Sequence, residues 1–373
     1  MNKMPRMSWS FYQIWNESLE QRESRKPYKR KNLWASELGK APIDLFLKMN
    51  GVAPSNPFDP RTLRKFEAGN IWEWIVGLVL KRAGVFKGEQ GWVSYQYPGL
   101  LEVTGKLDFL AGGKPDWEES RKRIEELELP PFLIKASNDI INHFKNNYPE
   151  GLNTIVLEVK SCSAFMFERY LKSRQASSNH RVQSFHYIKA KDMKEAHIVY
   201  ISKDDARMLE LGITNPSYVE NEYKALIEEM THYIEANERP PLEKVTVFDE
   251  EFGRFSVNWR VKYSGYLKML YGFENQSVVD EIFGKQVAKW NRVLNRCVEG
   301  KKMTKLNLEV IGDVKREFKD FDELVEKERE RRKILVKSEN ENDTIPVKAS
   351  TAKSKARITK SKKSKSSGGD KDA

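Results

Sequence analysis

The chain has 373 residues, 39% of them hydrophobic and 32% charged, with a formal net charge of +11 at pH 7. That balance suits a globular protein with a sizeable core and excludes an apolar, membrane-embedded chain. Two cysteines, Cys162 and Cys297, exclude a disulfide framework and any four-cysteine zinc or iron–sulfur site within the chain, and a reducing, cytoplasmic setting is expected.

Residues 1–30 read as a polar N-terminal arm without the apolar core of a signal peptide. A short helical segment is expected from Asn32 to Asn50, marked by Leu33, Leu38, Leu45 and Leu47, before Pro54, Pro57 and Pro60 break the chain. A helix follows from about Arg61 to Ala83 and stops near Gly84. Its stretch Ile71 to Leu80 is the most apolar in the chain, yet it is too short to span a bilayer and carries Glu73, so no membrane partner is expected.

Strand-like runs come next, at Trp92–Tyr97, Leu101–Leu110 and Thr154–Lys160. Residues 111–153, with a charged helical piece (Trp117–Leu129) and an amphipathic one (Ile134–Phe144), read as an insertion between two of those strands. A helix near Arg181–Ala190 and a strand at Ala196–Ser202 complete the pattern, which predicts an α/β fold with a central mixed sheet flanked by helices. Beyond Tyr218 the chain reads as mostly helical to about Lys333, with short strands near Val245 to Phe248. The last stretch, 336–373, is Lys- and Ser-rich and reads as a disordered basic tail. It carries +7 between Thr344 and Ala373, leaving +4 for residues 1–343, so the body has no general basic character to mark it as a nucleic-acid binder. The tail fits a solubilising end and a phosphate contact equally well.

Four patterns bear on chemistry. In Thr154-Ile-Val-Leu-Glu-Val-Lys160, alternation sets Ile155, Leu157 and Val159 on one face and Glu158 with Lys160 on the other. A carboxylate and an ammonium two residues apart suit a metal and its bound water, and equally a solvated ion pair on an edge strand. In Thr104-Gly-Lys-Leu-Asp-Phe109, Asp108 falls on the polar side of an apolar strand, where a cation would offset its desolvation. Glu73 sits in a helix that is apolar almost all round; such a helix is normally buried, so this carboxylate needs a partner, a proton or a metal. Gln183 and Tyr187, four apart, share one helix face, either toward a site or toward the sheet.

Taken in order, Gly-x-x-x-Glu, Gly-x-x-Asp, Glu-x-Lys and Gln-x-x-x-Tyr resemble the RecB-like branch of the PD-(D/E)XK nuclease superfamily. That branch includes helicase-linked recombination nucleases, phage exonucleases and the nucleases of CRISPR spacer acquisition. The resemblance covers roughly Leu33 to Ser202, with Asn32-Leu-Trp-Ala-Ser-Glu-Leu-Gly39 similar to the family's opening segment. It implies a restriction-endonuclease-like core over residues 31–216, carrying the insertion 111–153, and a mostly helical C-terminal extension over 217–335.

The resemblance also implies a metal-dependent DNA nuclease, an exonuclease foremost, in recombination, repair or phage DNA processing, working in the cytoplasm or in a host's cytoplasm. A restriction-like endonuclease and a non-catalytic DNA-binding scaffold are the alternatives. Asp108, Glu158, the Val159 carbonyl and Glu73 would hold Mg²⁺ or Mn²⁺, with no iron–sulfur cluster. Lys160, Gln183 and Tyr187 would complete the catalytic group. Arg169, Arg174 and Arg181 would contact DNA, and a helicase, recombinase or single-strand-binding protein would be the protein partner. The chain departs from the family's pattern in lacking the four cluster cysteines and in the length of the insertion.

Overall fold

Apolar residues that alternate in strands and recur every three or four positions in helices assemble into one sheet with a core on each face. A computed structural model describes residues 10–23, 26–114, 116–214, 217–250 and 252–342; of the expected disordered tail 336–373, residues 336–342 instead end a helix (Phe321–Asn342), and those beyond 342 lie outside the described residues. Within the expected polar arm, Phe11–Glu23 form helix α1. Strand β1 (Leu33–Trp34), a 3-10 turn (Ala35–Glu37) and α2 (Pro42–Met49) follow. Helix α3 (Pro60–Arg82) starts where Asp59 accepts the Thr62 amide and Pro60 takes the first helical position.

Next come β2 (Phe86–Tyr95), β3 (Val103–Gly113), α4 (Trp117–Glu126), α5 (Pro131–Asn147) and β4 (Leu152–Cys162). The core then closes with α6 (Ala164–Ser173), α7 (Ser178–Lys191), β5 (Glu195–Ser202), β6 (Met208–Thr214) and α8 (Ser217–Glu235). The sequence pattern shows neither α6 nor β6; the β6 run is short and broken by Gly212.

The sheet order is β1-β3-β4-β5-β6, with β2 on the remaining edge of β3. Pairs β1–β3 and β4–β5 are parallel and the others antiparallel, so the sheet is mixed and flanked by helices, as the sequence pattern predicts. Along β5, Ile198 and Tyr200 enter the larger core while Val199 and Ile201 enter the smaller one, which assigns the two cores to opposite faces. The larger core lies under α7 and the smaller one under α3.

The segment expected as an insertion, 111–153, holds a helical pair, α4 and α5, between the extended ends of β3 and β4. Strands β3 and β4 continue pairing as far as Gly113↔Leu152. Gly112 (φ +112°) and Gly151 (φ +86°) allow it, since a Cβ would lie 2.1 Å from the Asn153 carbonyl oxygen and 2.3 Å from that of Gly113.

Helix α3 corrects an expectation. It is not buried all round: Ile71 (55%), Trp74 (59%) and Val79 (44%) are exposed, because only one side of the helix meets the sheet. Among the described residues no helix is long and apolar enough to cross a membrane.

The chain divides into two compact units, residues 1–249 with 255–288 and residues 250–254 with 289–373. The first holds the sheet and α8, which is tied to α7 by Lys189–Glu220 (3.0 Å) and by a His186–Tyr223 hydrogen bond (2.9 Å). Strands β7 (Thr246–Asp249) and β8 (Arg254–Val257) make a small second sheet, followed by α9 (Trp259–Lys262), α10 (Leu267–Tyr271) and α11 (Gln276–Val298). In the second unit, Trp290 of α11 stacks edge-on against Phe318, between α12 (Lys305–Glu317) and α13 (Phe321–Asn342).

The segment that leads into β1 and α2 is held by Glu37, a buried carboxylate paired with Arg30 (2.7 Å), Lys40 (3.2 Å) and Lys48 (2.6 Å). Burial pushes its pKa up, but Lys40, Lys48 and Arg30 outweigh that and hold it at about 2. A lowered carboxyl pKa contributes stability that is present above about 4.5 and lost as pH falls toward about 2. Glu37→Gln is expected to destabilise the protein by about 3 kcal/mol at pH 7 and by progressively less below pH 4.5. Urea unfolding across that range checks this, and a pH-independent difference would count against it.

Candidate active site

Strand β2 pairs with β3 from Phe86↔Ala111 to Tyr95↔Val103 and so fills one edge of β3. The other edge is shared, with β1 against Val103 and Thr104 and β4 against Phe109 to Gly113. Between them, residues 105–108 have no strand partner on that edge. Past Phe109↔Leu157 the two strands part, and Asp108 and Glu158 are the first residues beyond the last pair. This fork is the candidate site.

Side chains satisfy the backbone groups that the fork releases. Asp108 Oδ2 accepts the Val159 amide at 2.8 Å. Tyr187 Oη donates to the Lys106 carbonyl at 2.9 Å. Tyr187 can come so close because Gly105 has no side chain; a Cβ there would lie 2.6 Å from the Tyr187 ring and 3.0 Å from Ala35 Cβ.

Strict alternation therefore fails at Asp108, contrary to the sequence expectation. Leu107 packs in the larger core and Phe109, two residues on, in the smaller one, so Asp108 turns along the sheet toward β4. On β4 alternation persists. Leu157 and Val159 face the smaller core, while Glu158, 1% exposed, points toward α7. There Glu158 Oε1 accepts from Lys160 Nζ at 2.5 Å and from Gln183 Nε2 at 2.7 Å. Gln183 Nε2 also donates to Tyr187 Oη at 3.1 Å.

Glu73 reaches the fork from the opposite face. On α3 it lies between Gly69, where a Cβ would sit 3.3 Å from Ser161 Oγ, and Gly77, where one would sit 2.9 Å from the Phe109 ring. The stripe Gly69-Glu73-Gly77, four residues apart at each step, lets the helix settle on β3 and β4 and brings the carboxylate with it. The structure thus gathers Glu73, Asp108, Glu158, Lys160, Gln183 and Tyr187 at one fork.

Electrostatics express the crowding of three carboxyls. Glu158 is pushed up to about 8 by burial and then by the Asp108 charge, against the pull of Lys160. Burial and Asp108 push Glu73 up to about 7. Asp108 is raised by burial against Lys160 and the Val159 amide. Burial works against the Lys160 ammonium, but Glu158 and Asp108 overcome it and hold its pKa above the ordinary value. Tyr187 is kept protonated by burial and by Glu158, so it donates.

Glu158 Oε2 is buried without a hydrogen-bond partner. A buried oxygen without a donor beside carboxyls raised chiefly by burial suits a hard cation. Among the described residues no group of three or more His, Cys, Asp or Glu side chains is placed to hold a metal ion. A magnesium-sized ion that keeps its waters needs only one or two carboxylates, so the donor set fits.

Of the three arginines singled out in the sequence, Arg169 lies on α6 with its guanidinium 5.8 Å from the Phe165 ring centre. Arg174 and Arg181 line a cavity of about 670 Å³ beside Glu210, Thr214 and Tyr218, whose walls include none of the fork's carboxylates. Arg181 donates to the Ala176 carbonyl at 2.5 Å. The sequence reading passed over Lys106, whose carbonyl Tyr187 holds and whose ammonium lowers the Asp108 and Glu73 carboxyls. The signal available for it was its place in Gly105-Lys-Leu-Asp108, the motif itself.

No family model and no curated protein sequence match the chain. The solved structures to which it is similar include that of SSO0001, with 14% identity and a TM-score of 0.38, over 69% of this chain and 95% of that one. They also include the alkaline exonuclease LHK-Exo from Laribacter hongkongensis, with 12% identity and a TM-score of 0.34, over 58% of this chain and 93% of that one. The same exonuclease in complex with dAMP gives 11% and 0.33, over 60% and 93%.

Gly105→Ala is expected to destabilise the protein by about 1–3 kcal/mol through overpacking against Tyr187 and Ala35. An unchanged midpoint of urea unfolding would contradict the close approach.

Proposed function

We propose that the protein is a DNA nuclease of the PD-(D/E)XK type that depends on Mg²⁺ or Mn²⁺ and acts foremost as an exonuclease on DNA ends. The observation that carries this reading is the fork, where Asp108 and Glu158 emerge side by side from parting strands with Lys160 beside them and a buried carboxylate oxygen left without a donor. A solvated ion pair on an edge strand, the alternative for Glu158 and Lys160, does not describe a carboxylate that is 1% exposed in a strand paired with β5.

In this reading Asp108, Glu158 and the Val159 carbonyl would hold the ion, with Glu73 supporting it from α3. When bound, the ion would supply a water of lowered pKa and positive charge at the scissile phosphate. The Val159 amide fixes Asp108, and Gln183 fixes Glu158, so neither carboxylate has to be ordered at the moment of reaction. Lys160, held charged by its carboxylate neighbours, orients the attacking water and steadies charge on the phosphate as oxygen adds to phosphorus and the bond to the sugar oxygen breaks. Tyr187 holds the Lys106 segment of β3 in place and, through Gln183, the orientation of Glu158. Arg174 and Arg181 are phosphate contacts away from the fork.

Two measurements test this. End-labelled linear DNA should be degraded with MgCl₂ or MnCl₂ and not with EDTA, and Glu158→Ala and Lys160→Ala should each lower the rate by about 10²-fold or more. Covalently closed circular DNA should survive; its cleavage would mean an endonuclease, and no cleavage with any divalent ion would sink the nuclease reading.

The second measurement is thermal unfolding. A carboxyl raised in the folded state destabilises the metal-free protein as pH rises from about 4.5 through about 8. Asp108→Asn removes one source of that repulsion. It should raise the metal-free melting temperature at pH 8 by about 2–4 °C and abolish the further rise that MgCl₂ gives the unaltered protein. A magnesium response that survives in Asp108→Asn would remove Asp108 from the site.

A further inference from the structure

On β1, β2 and β3, Leu33, Val93 and Val103 face the larger core, so their neighbours Trp34, Trp92 and Thr104 face the other side, the side of α3 and Glu73. Trp92 lies directly across from Lys106, and Trp34 across from Thr104. Trp92 is 62% exposed, although a tryptophan is the largest apolar side chain a strand can present to water. Its ring meets that of Trp34 edge-on at 6.2 Å, and the Arg30 guanidinium lies 4.0 Å from the Trp34 ring centre. Arg30 is in turn fixed by Glu37, so the platform is stiff at its base. Lys106, exposed, is two residues from Asp108 along β3, about 7 Å by strand geometry.

From these residues we propose that Trp92, backed by Trp34 and flanked by Lys106, is a stacking platform for an unpaired DNA base next to the phosphate held at the fork. The proposal deepens the nuclease reading and rests on it, naming a single-stranded or frayed DNA end as the substrate class. An open aromatic face with cations beside it suits a base and its phosphate, since every base offers a π-face and every linkage a negative charge. A protein partner would find no such continuity with the carboxylate fork along β3.

Binding of fluorescently labelled oligothymidylate, measured by anisotropy in EDTA, tests the platform, with an oligonucleotide of the same length made of abasic residues as control. Trp92→Ala should weaken oligothymidylate binding about tenfold, Trp92→Phe should restore it to within about threefold, and neither should move the melting temperature, because the side chain is exposed. The abasic strand should bind unaltered protein and Trp92→Ala alike, since it has no base to lose. Equal losses for both strands, or no loss for either, would overturn the platform. So would a Trp92→Ala protein that changes oligomeric state in size-exclusion chromatography while binding oligothymidylate as before, because the patch would then be a subunit contact.

Cleavage of linear DNA by the unaltered protein, run in parallel, separates the two levels. Cleavage with a failed platform test leaves the nuclease reading standing. Neither cleavage nor binding removes both.

Discussion

The site depends on the end of β3–β4 pairing. Two strands that part must leave amide and carbonyl groups without partners, and in a buried sheet each such group costs about 1–3 kcal/mol unless something answers it. Asp108 answers the Val159 amide and Tyr187 answers the Lys106 carbonyl. The same two side chains are then fixed at the fork, and Gln183 extends the arrangement to Glu158. Backbone satisfaction and site geometry are therefore one network, so a change at Gly105 or Tyr187 acts on both.

The second constraint is charge. Three carboxyls meet beside the Lys160 ammonium, with the exposed Lys106 ammonium also acting on two of them, and burial raises all three carboxyls. A domain selected for stability alone would not keep this arrangement, since replacing such groups by apolar ones is often neutral or stabilising. The buried Glu37 cluster is the contrast: three cations surround one carboxylate, its pKa falls, and the result is a structural anchor for the opening segment.

Glycines set the distances. Gly69 and Gly77 let α3 rest on β3 and β4 with Glu73 between them, and Gly105 lets α7 bring Tyr187 onto the backbone of β3. At Gly77 and Gly105 a Cβ would lie 2.9 Å and 2.6 Å from its neighbours, closer than side chains pack, while at Gly69 it would make a tight contact of 3.3 Å with Ser161 Oγ. The motif glycines Gly69 and Gly105 thus stand beside their acidic partners for a steric reason that spacing alone does not show.

How much was readable in the chain itself follows from where each signal resides. The mixed sheet built around β2 to β5, the helices α3 and α7 and the alternation along β4 come from local periodicity, whereas α1, α6 and β6 do not show in it; the grouping of Glu73, Asp108, Glu158, Lys160, Gln183 and Tyr187 as candidates comes from the resemblance of their motif order to a nuclease family. The exposed side of α3, the break of alternation at Asp108, the placement of Arg174 and Arg181 at a separate cavity, and the part played by Lys106 were decided only by the tertiary structure. Periodicity says which residues share a face, but which face meets another element, and where two strands stop pairing, depend on partners far away in the chain. Asp108 reads as one more alternating strand residue until Val159, 51 residues later, supplies the amide that turns it into the fork.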